Sequence, residues 1–214
     1  TVLMAFLTLF YLALVVFRAI TGHGHIHGIF PLFDLGEERN IPSCFSGCLL
    51  FLNAMLFALL ATTPSSSISR WKWLALTLVF LFLAYDELFS VHERITAPLR
   101  AAFHTSGLLY YAWVLVYVPV VALLALLFLP TWRRFEVPVR SRLACAAGIF
   151  LAGAVGFEML GGAYEEAFGT RTDLAYGLLV AAEESLEMTG LIILTQGLLI
   201  VLQHATGSTL VQIA

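Results

Sequence analysis

The sequence predicts an all-α, polytopic membrane protein, a six-transmembrane-helix bundle with short loops. Of its 214 residues 60% are hydrophobic and 12% are charged, and that charged share is about half of what a soluble domain carries. Several apolar runs reach the length of about 18 residues at which a helix can cross a bilayer. These runs lack the alternation of barrel strands, and only helices and closed barrels satisfy their backbone groups in lipid. We therefore expect one transmembrane domain, residues 1–214, with the lipid bilayer as its surroundings.

Six segments satisfy the length rule for a membrane-spanning helix. They are predicted at approximately 2–20, 43–62, 71–92, 107–130, 142–163 and 177–203. The first is long for the apolar region of a signal peptide, and no clear small-residue cleavage site precedes Arg18, so we expect a retained helix. Breaker residues separate the other runs, in segments 63–67 and 130–138, at Pro98 and in segment 169–173.

The distribution of Lys and Arg predicts the orientation. Six of these residues follow the second and fourth predicted helices, and four follow the first, third and fifth. The positive-inside rule then places both termini in the cytoplasm and loops 21–42, 94–106 and 164–176 on the opposite side. The net charge of −3 and the lack of a basic stripe argue against nucleic acid as a partner.

Two further patterns are interpreted as ordinary packing. Cys44 and Cys48 are one helical turn apart, and we expect buried thiols rather than a soft-metal or redox pair. Gly148, Ala152 and Gly156 share one stripe of the fifth predicted helix. Small residues in such a stripe let two helices approach closely, so we expect a packing seam there.

Acidic residues gather at one membrane face. Of the fourteen Asp and Glu residues, only Glu136 falls in a predicted cytoplasmic loop. The other thirteen lie in outer loops or in the outer halves of helices three, five and six: Asp34, Glu37, Glu38, Asp86, Glu87, Glu93, Glu158, Glu165, Glu166, Asp173, Glu183, Glu184 and Glu187. Because an ionised group in hydrocarbon costs several kcal/mol, we expect the acids within helices to face the bundle interior.

Spacing and helix direction arrange these acids in two predicted layers. Asp86 and Glu93 are seven residues apart, as are Glu158 and Glu165, so each pair shares a helix face. The deeper layer comprises Asp86 or Glu87, Glu158 and Glu187; the shallower comprises His92, Glu93, Glu165, Glu183 and Glu184. On an unbroken helix, His92 would lie about 120° round from Asp86.

Carboxylates that converge must protonate or share a cation. Carboxylates with one or two histidines are the ligands of di-iron, di-manganese and mixed zinc sites. We therefore favour a site for a divalent or di-nuclear metal, Fe, Mn or Zn, with these candidate ligands: Asp86, Glu87, His92, Glu93, Glu158, Glu183, Glu184 and Glu187. If the protein is an enzyme, the metal can activate water or dioxygen and the substrate is membrane-soluble.

Other functions remain open. The acids can form a proton or cation pathway, or a structural polar network. The small size and minimal loops also fit an accessory subunit of a larger membrane complex, or a homo-oligomer. In the first outer loop His23, His25 and His27 alternate among glycines, a context that can chelate Zn, Cu or Ni.

Three stretches resemble a group of uncharacterised bacterial multipass membrane proteins. They are Phe33-Asp34-Leu35-Gly36-Glu37-Glu38-Arg39-Asn40-Ile41-Pro42-Ser43, then Asp86-Glu87 with His92-Glu93, and Glu183-Glu184-Ser185-Leu186-Glu187-Met188. The chain departs from the group's pattern at Cys44, where an aromatic residue such as Trp often stands before the Phe-Ser pair. The resemblance implies the bacterial inner membrane and singles out the same acids, and it implies no particular activity.

Overall fold

The computed structural model describes residues 1–23, 28–63 and 68–207. In these residues the protein is helical and has no β-strand. The α-helices are α1 (Val2–Thr21), α2 (Ile29–Phe33), α3 (Ile41–Thr62), α4 (Arg70–Phe89), α5 (Val91–Phe103), α6 (Val114–Trp132), α7 (Val137–Leu151), α8 (Glu158–Phe168) and α9 (Leu174–Thr206). A π-helical segment, Ala152–Phe157, joins α7 to α8, and a 3₁₀ turn, Gly107–Leu109, precedes α6.

The prediction of an α-helical polytopic bundle is confirmed. Among the described residues, five helical spans are long and apolar enough to cross a membrane: α1, α3, α6, the continuous Val137–Phe168 span and α9. A sixth is obtained when α4 and α5 are counted together as one broken or re-entrant span, since they meet at 81°. The six predicted runs correspond to these elements in order.

Two predicted boundaries are wrong. The third predicted helix does not run to residue 92, because Ser90 has a left-handed backbone with φ 55° and ends α4. The following residues form α5 where a loop was expected. The fourth predicted helix begins only at Val114, after the 3₁₀ turn.

Helix α9 lies at the centre of the bundle and packs against α1, α3, α7 and the π segment. Its glycines permit this: a Cβ on Gly177 would lie 2.6 Å from Val15 Cγ1, and one on Gly190 would lie 2.7 Å from Phe150 Cβ. No side chain fits at such distances, so the backbones approach closely where α9 has glycine.

Neither of the two packing expectations is met in the described chain. A Cβ on Gly148 or Gly156 would meet no atom within 4 Å, so that stripe faces out of the bundle. Gly153, next to Ala152 in the chain, is the buried residue of the π segment. Cys44 and Cys48 are exposed rather than buried.

Candidate functional site

One end of the bundle encloses a cavity of about 410 Å³, here called the acidic cavity. Ten carboxyl-bearing residues line it: Glu37, Glu38, Asp86, Glu87, Glu93, Glu158, Glu165, Glu183, Glu184 and Glu187. His92 lines it too. All eight residues that sequence spacing brought together therefore surround one space, and their role as metal ligands stays a prediction.

The loop before α3 brings Glu38 to this cavity. Asn40 holds the loop, because its Nδ2 donates to the backbone oxygens of Asp34 at 2.6 Å and Glu37 at 2.8 Å. Asn40 also caps α3 by accepting from the backbone N–H of Ser43 at 3.1 Å, while the Ser43 hydroxyl accepts from the Asn40 N–H at 3.0 Å. This capping box satisfies two of the backbone groups that a helix start leaves open. The first of the three resembling stretches is thus a rigid support for Glu38.

The bend at Ser90 folds His92 back onto Asp86. Oδ1 of Asp86 accepts from the backbone N–H of His92 at 2.8 Å and from its Nδ1 at 3.2 Å. A carboxylate bound to one ring nitrogen fixes the tautomer and leaves the other nitrogen available. The expected separation of these residues around a continuous helix is therefore wrong.

The free nitrogen of His92 faces Glu38. The distance from Nε2 to Glu38 Oε1 is 3.7 Å. The second oxygen of Glu38 is buried and makes no aligned hydrogen bond within the described chain. Burial raises the pKa of Glu38, in its loop outside the membrane spans, to about 6. His92 and Glu38 thus present one nitrogen and one under-satisfied carboxyl to the same space.

The π segment brings Glu158 against α9. Gly153 lies so close to α9 that an added Cβ would be 2.6 Å from the carbonyl oxygen of Glu183 and 2.9 Å from Glu187 Cγ. Trp113 Nε1 donates to Oε1 of Glu158 at 3.0 Å. Segments of π-helix inside α-helices are frequent at functional sites, and this one ends where the acids begin.

Three acids of α9 complete the wall. Glu183, Glu184 and Glu187 all line the cavity, and the backbone oxygen of Glu183 and Cγ of Glu187 lie against Gly153 of the π segment. Acids assigned to both predicted layers therefore line the same cavity.

A hydroxyl–carboxylate network lies at the mouth of the cavity. Tyr111 donates to Glu165 and lies 3.0 Å from the hydroxyl of Tyr176, which accepts from Arg171 Nε at 3.1 Å. Arg171 is 3.6 Å from Glu165. Burial raises the pKa of Tyr111, which lies in the loop before α6, well above its ordinary value. Tyr111 is therefore a neutral hydrogen-bonding residue at neutral pH.

Negative groups outnumber positive ones around the cavity. Besides His92, its cationic side chains are Arg100 and Arg171, both near the mouth. Arg100 stacks on Tyr110, 4.0 Å from the ring centre, and Arg171 is occupied as described above. In the described parts of the chain no three His, Cys, Asp or Glu side chains already stand at mutual metal-binding distances. A bound metal would thus require carboxyl side chains to rotate toward His92 and Glu38.

A family model, described as a domain of unknown function (DUF8692), matches residues 1–202. The chain belongs to this family. Nothing matches it among the curated proteins or among the solved structures. The matched region of this DUF8692 chain contains every residue that lines the acidic cavity.

Glu38 is the cavity residue that spacing arguments left out of the candidate ligands. It belongs to a loop, so no helical periodicity links it to Asp86 or Glu187. The available signal was its place in the first resembling stretch, two residues before the capping Asn40.

Two predicted elements lie at the edge of the site or outside it. Glu93 is exposed at the cavity mouth, so it contributes less to the enclosed wall than Asp86. His23 is exposed, and its Nδ1 lies 2.9 Å from the backbone oxygen of Thr21. His25 and His27 lie outside the described residues.

Proposed function

We propose that this protein binds a divalent metal cation, mononuclear or di-nuclear, in the acidic cavity. The observation that carries the proposal is the Asp86–His92–Glu38 arrangement at the wall of a cavity with a large excess of carboxylates. Asp86 fixes His92 through Nδ1, so Nε2 can bind a cation beside Glu38. Such carboxylate–histidine pairs orient the ligands of many metal sites.

Further candidate ligands come from other helices whose carboxyl side chains line the same cavity. Glu87 and Glu184 line the same cavity as His92 and Glu38. Glu158 and Glu187 line it as well and provide a second group of carboxyls. Carboxylates with histidine suit Fe, Mn or Zn, and two such groups of ligands suit a di-nuclear site.

The cellular setting completes the proposal. We place the protein in the bacterial inner membrane with cytoplasmic termini, so that the acidic cavity lies near the outer leaflet. If the protein is an enzyme, a metal at that depth would activate water or dioxygen toward a membrane-soluble substrate. A proton or cation pathway and an accessory role in a membrane complex or homo-oligomer are the competing functions.

Elemental analysis of the detergent-purified protein tests the proposal. We expect about one or two equivalents of Fe, Mn or Zn, as in carboxylate-bridged sites, and their loss in the Glu158→Gln, Glu187→Gln double variant. The matched control is Glu136→Gln with Glu166→Gln, which removes the same charge outside the cavity and keeps the metal.

A wild-type protein without stoichiometric metal, purified without chelators and after incubation with Mn²⁺ and Zn²⁺, would contradict the proposal. Equal metal loss in the control variant would also contradict it, because the metal would then depend on overall charge rather than on the cavity. The acids would then belong to a proton pathway or to a polar network.

A further inference from the structure

The acidic cavity continues into an apolar region, here called the apolar arm. Six side chains line it: Leu50, Leu83, Val121, Phe150, Leu151 and Ala154. They belong to α3, α4, α6, α7 and the π segment. These five elements thus present hydrocarbon to the same cavity that the carboxylates line.

The arm lies deeper in the membrane than the acids. In α4, Leu83 precedes Asp86 by three residues, about 4.5 Å along the axis. Ala154 precedes Glu158 by four residues, about 6 Å at the α-helical rise. Both spans end at the acidic end of the bundle. Leu83 and Ala154 therefore lie closer to the membrane centre than the acids that follow them. Val121 repeats the pattern in α6, which begins at the acidic end.

The arm is accessible from the lipid side. Within α6 only Val114 and Thr131, near its two ends, are buried. Leu83, Val121 and Phe150 are half-exposed although they line the cavity. Part of the lining of the arm is therefore exposed at the surface of the bundle beside α6, which is the proposed route for a hydrocarbon chain from the bilayer.

We propose that the cavity holds a single-chain lipid, with its hydrocarbon chain in the apolar arm and a hydroxyl or amine head among the carboxylates. Carboxylates accept hydrogen bonds, so a donating head is stabilised there and an anionic head is repelled. The volume of about 410 Å³ is within the range of about 300–1,000 Å³ typical of small-molecule sites. The inference rests on the proposed function, because metal and head share the carboxyl end of the cavity.

Photo-crosslinking tests the lipid. The probes are hexadecanol and hexadecylamine that carry a diazirine in mid-chain, applied to the purified full chain, with the equivalent hexadecyl sulfate as the anionic control. We expect the alcohol and the amine to label peptides that contain Leu83, Val121 or Phe150, and unlabelled hexadecanol to compete. Hexadecyl sulfate should label these peptides only at background.

Two matched variants test whether the hydrocarbon chain of the probe occupies the apolar arm. Ala154→Phe fills the arm, whereas Ala152→Phe adds the same ring on the exposed face of the same π segment. Labelling should fall several-fold in the first variant and remain in the second. Equal labelling by all three heads, or labelling unchanged by Ala154→Phe, would overturn the inference.

Metal content measured in the same samples separates the two proposals. Metal retained in Ala154→Phe together with lost labelling supports both. Metal bound without head-dependent labelling overturns the lipid inference alone. Head-dependent labelling in a protein that binds no metal overturns the proposed function and leaves the lipid assigned to the cavity.

Discussion

Oδ1 of Asp86 accepts two hydrogen bonds from His92, one from its backbone nitrogen and one from its imidazole Nδ1. Asp86 is only 5% exposed, so this pair is sheltered from bulk water. The carboxylate therefore fixes both the turn after α4 and the direction of the ring. Nε2 of His92 is thereby directed to Glu38.

This relationship predicts different effects for two substitutions of Asp86. Asp86→Ala should weaken Mn²⁺ or Zn²⁺ binding by about 10–100-fold, as losses of ligand-orienting groups do. Asp86→Asn keeps an oxygen acceptor for both bonds and should lose less. Calorimetric titration of both variants measures the difference. Equal losses would mean that the charge of Asp86, and not its hold on His92, supports binding.

The left-handed backbone at Ser90 predicts a steric effect on stability. Ser90 has φ 55° and ψ 46°, a conformation that costs a residue with a Cβ about 1–2 kcal/mol. Ser90→Gly should therefore raise the free energy of unfolding, and the β-branched Ser90→Val should lower it. Denaturation in mild detergent measures both, with Ser90→Ala as the control for loss of the hydroxyl. A Val variant as stable as the Gly variant would contradict the argument.

The contact between the π segment and α9 predicts that two glycines of one span respond differently. Gly153→Ala would place a Cβ 2.6 Å from the Glu183 carbonyl oxygen, so α9 and its acids must shift. Thermal stability and metal content should both fall. Gly148→Ala meets no atom within 4 Å, and alanine has the higher helix propensity, so this control should be neutral or slightly more stable. A fall of the same size in both variants would count against the close approach.

The raised pKa of Asp34, in the loop before α3, predicts that the stability of the protein depends on pH. Burial raises its pKa above the ordinary 3.8, despite the hydrogen bond from Gly36. The charged groups that face it are Glu37, which adds to the rise, and Arg18 and Arg171, which oppose it. The folded protein thus binds the Asp34 proton more tightly than the unfolded chain does, so the contribution of Asp34 to stability is largest below about pH 4 and is lost as pH rises through the folded pKa.

Asp34→Asn removes this titration and keeps an acceptor for the Gly36 N–H. We expect the variant to melt higher than wild type at pH 7, with the difference shrinking toward pH 4. Melting curves across that range, with Glu136→Gln as an acid-to-amide control far from the loop, measure the effect. A variant that melts lower at pH 7 would show that the carboxylate is stabilised in the fold.

Helix content and the gathering of acids were predictable because they depend on local sequence. A bilayer requires about 20 apolar residues per span and internal hydrogen bonds for the backbone, so hydropathy alone locates the spans. Alternating helix direction then puts the ends of helices three and five and the start of helix six at one face. Asp86, Glu158 and Glu187 line one cavity for that reason.

Tertiary structure decided which side chains meet around the cavity. Asp86 and His92 were expected to lie about 120° apart around one helix, but the left-handed turn at Ser90 brings them into contact. No helical period encodes a break of that kind. Gly153 of the π segment faces α9, whereas Gly148 and Gly156 face outward, so the packing of this span against α9 decided which small residues form the close approach. Glu38 reaches the cavity because Asn40 fixes the loop by hydrogen bonds to the backbone of Asp34 and Glu37, a loop conformation that no helical period encodes. The sequence by itself determined which side of the membrane bundle is acidic, and only the packing of breaks, bulges and loops decided which groups meet there.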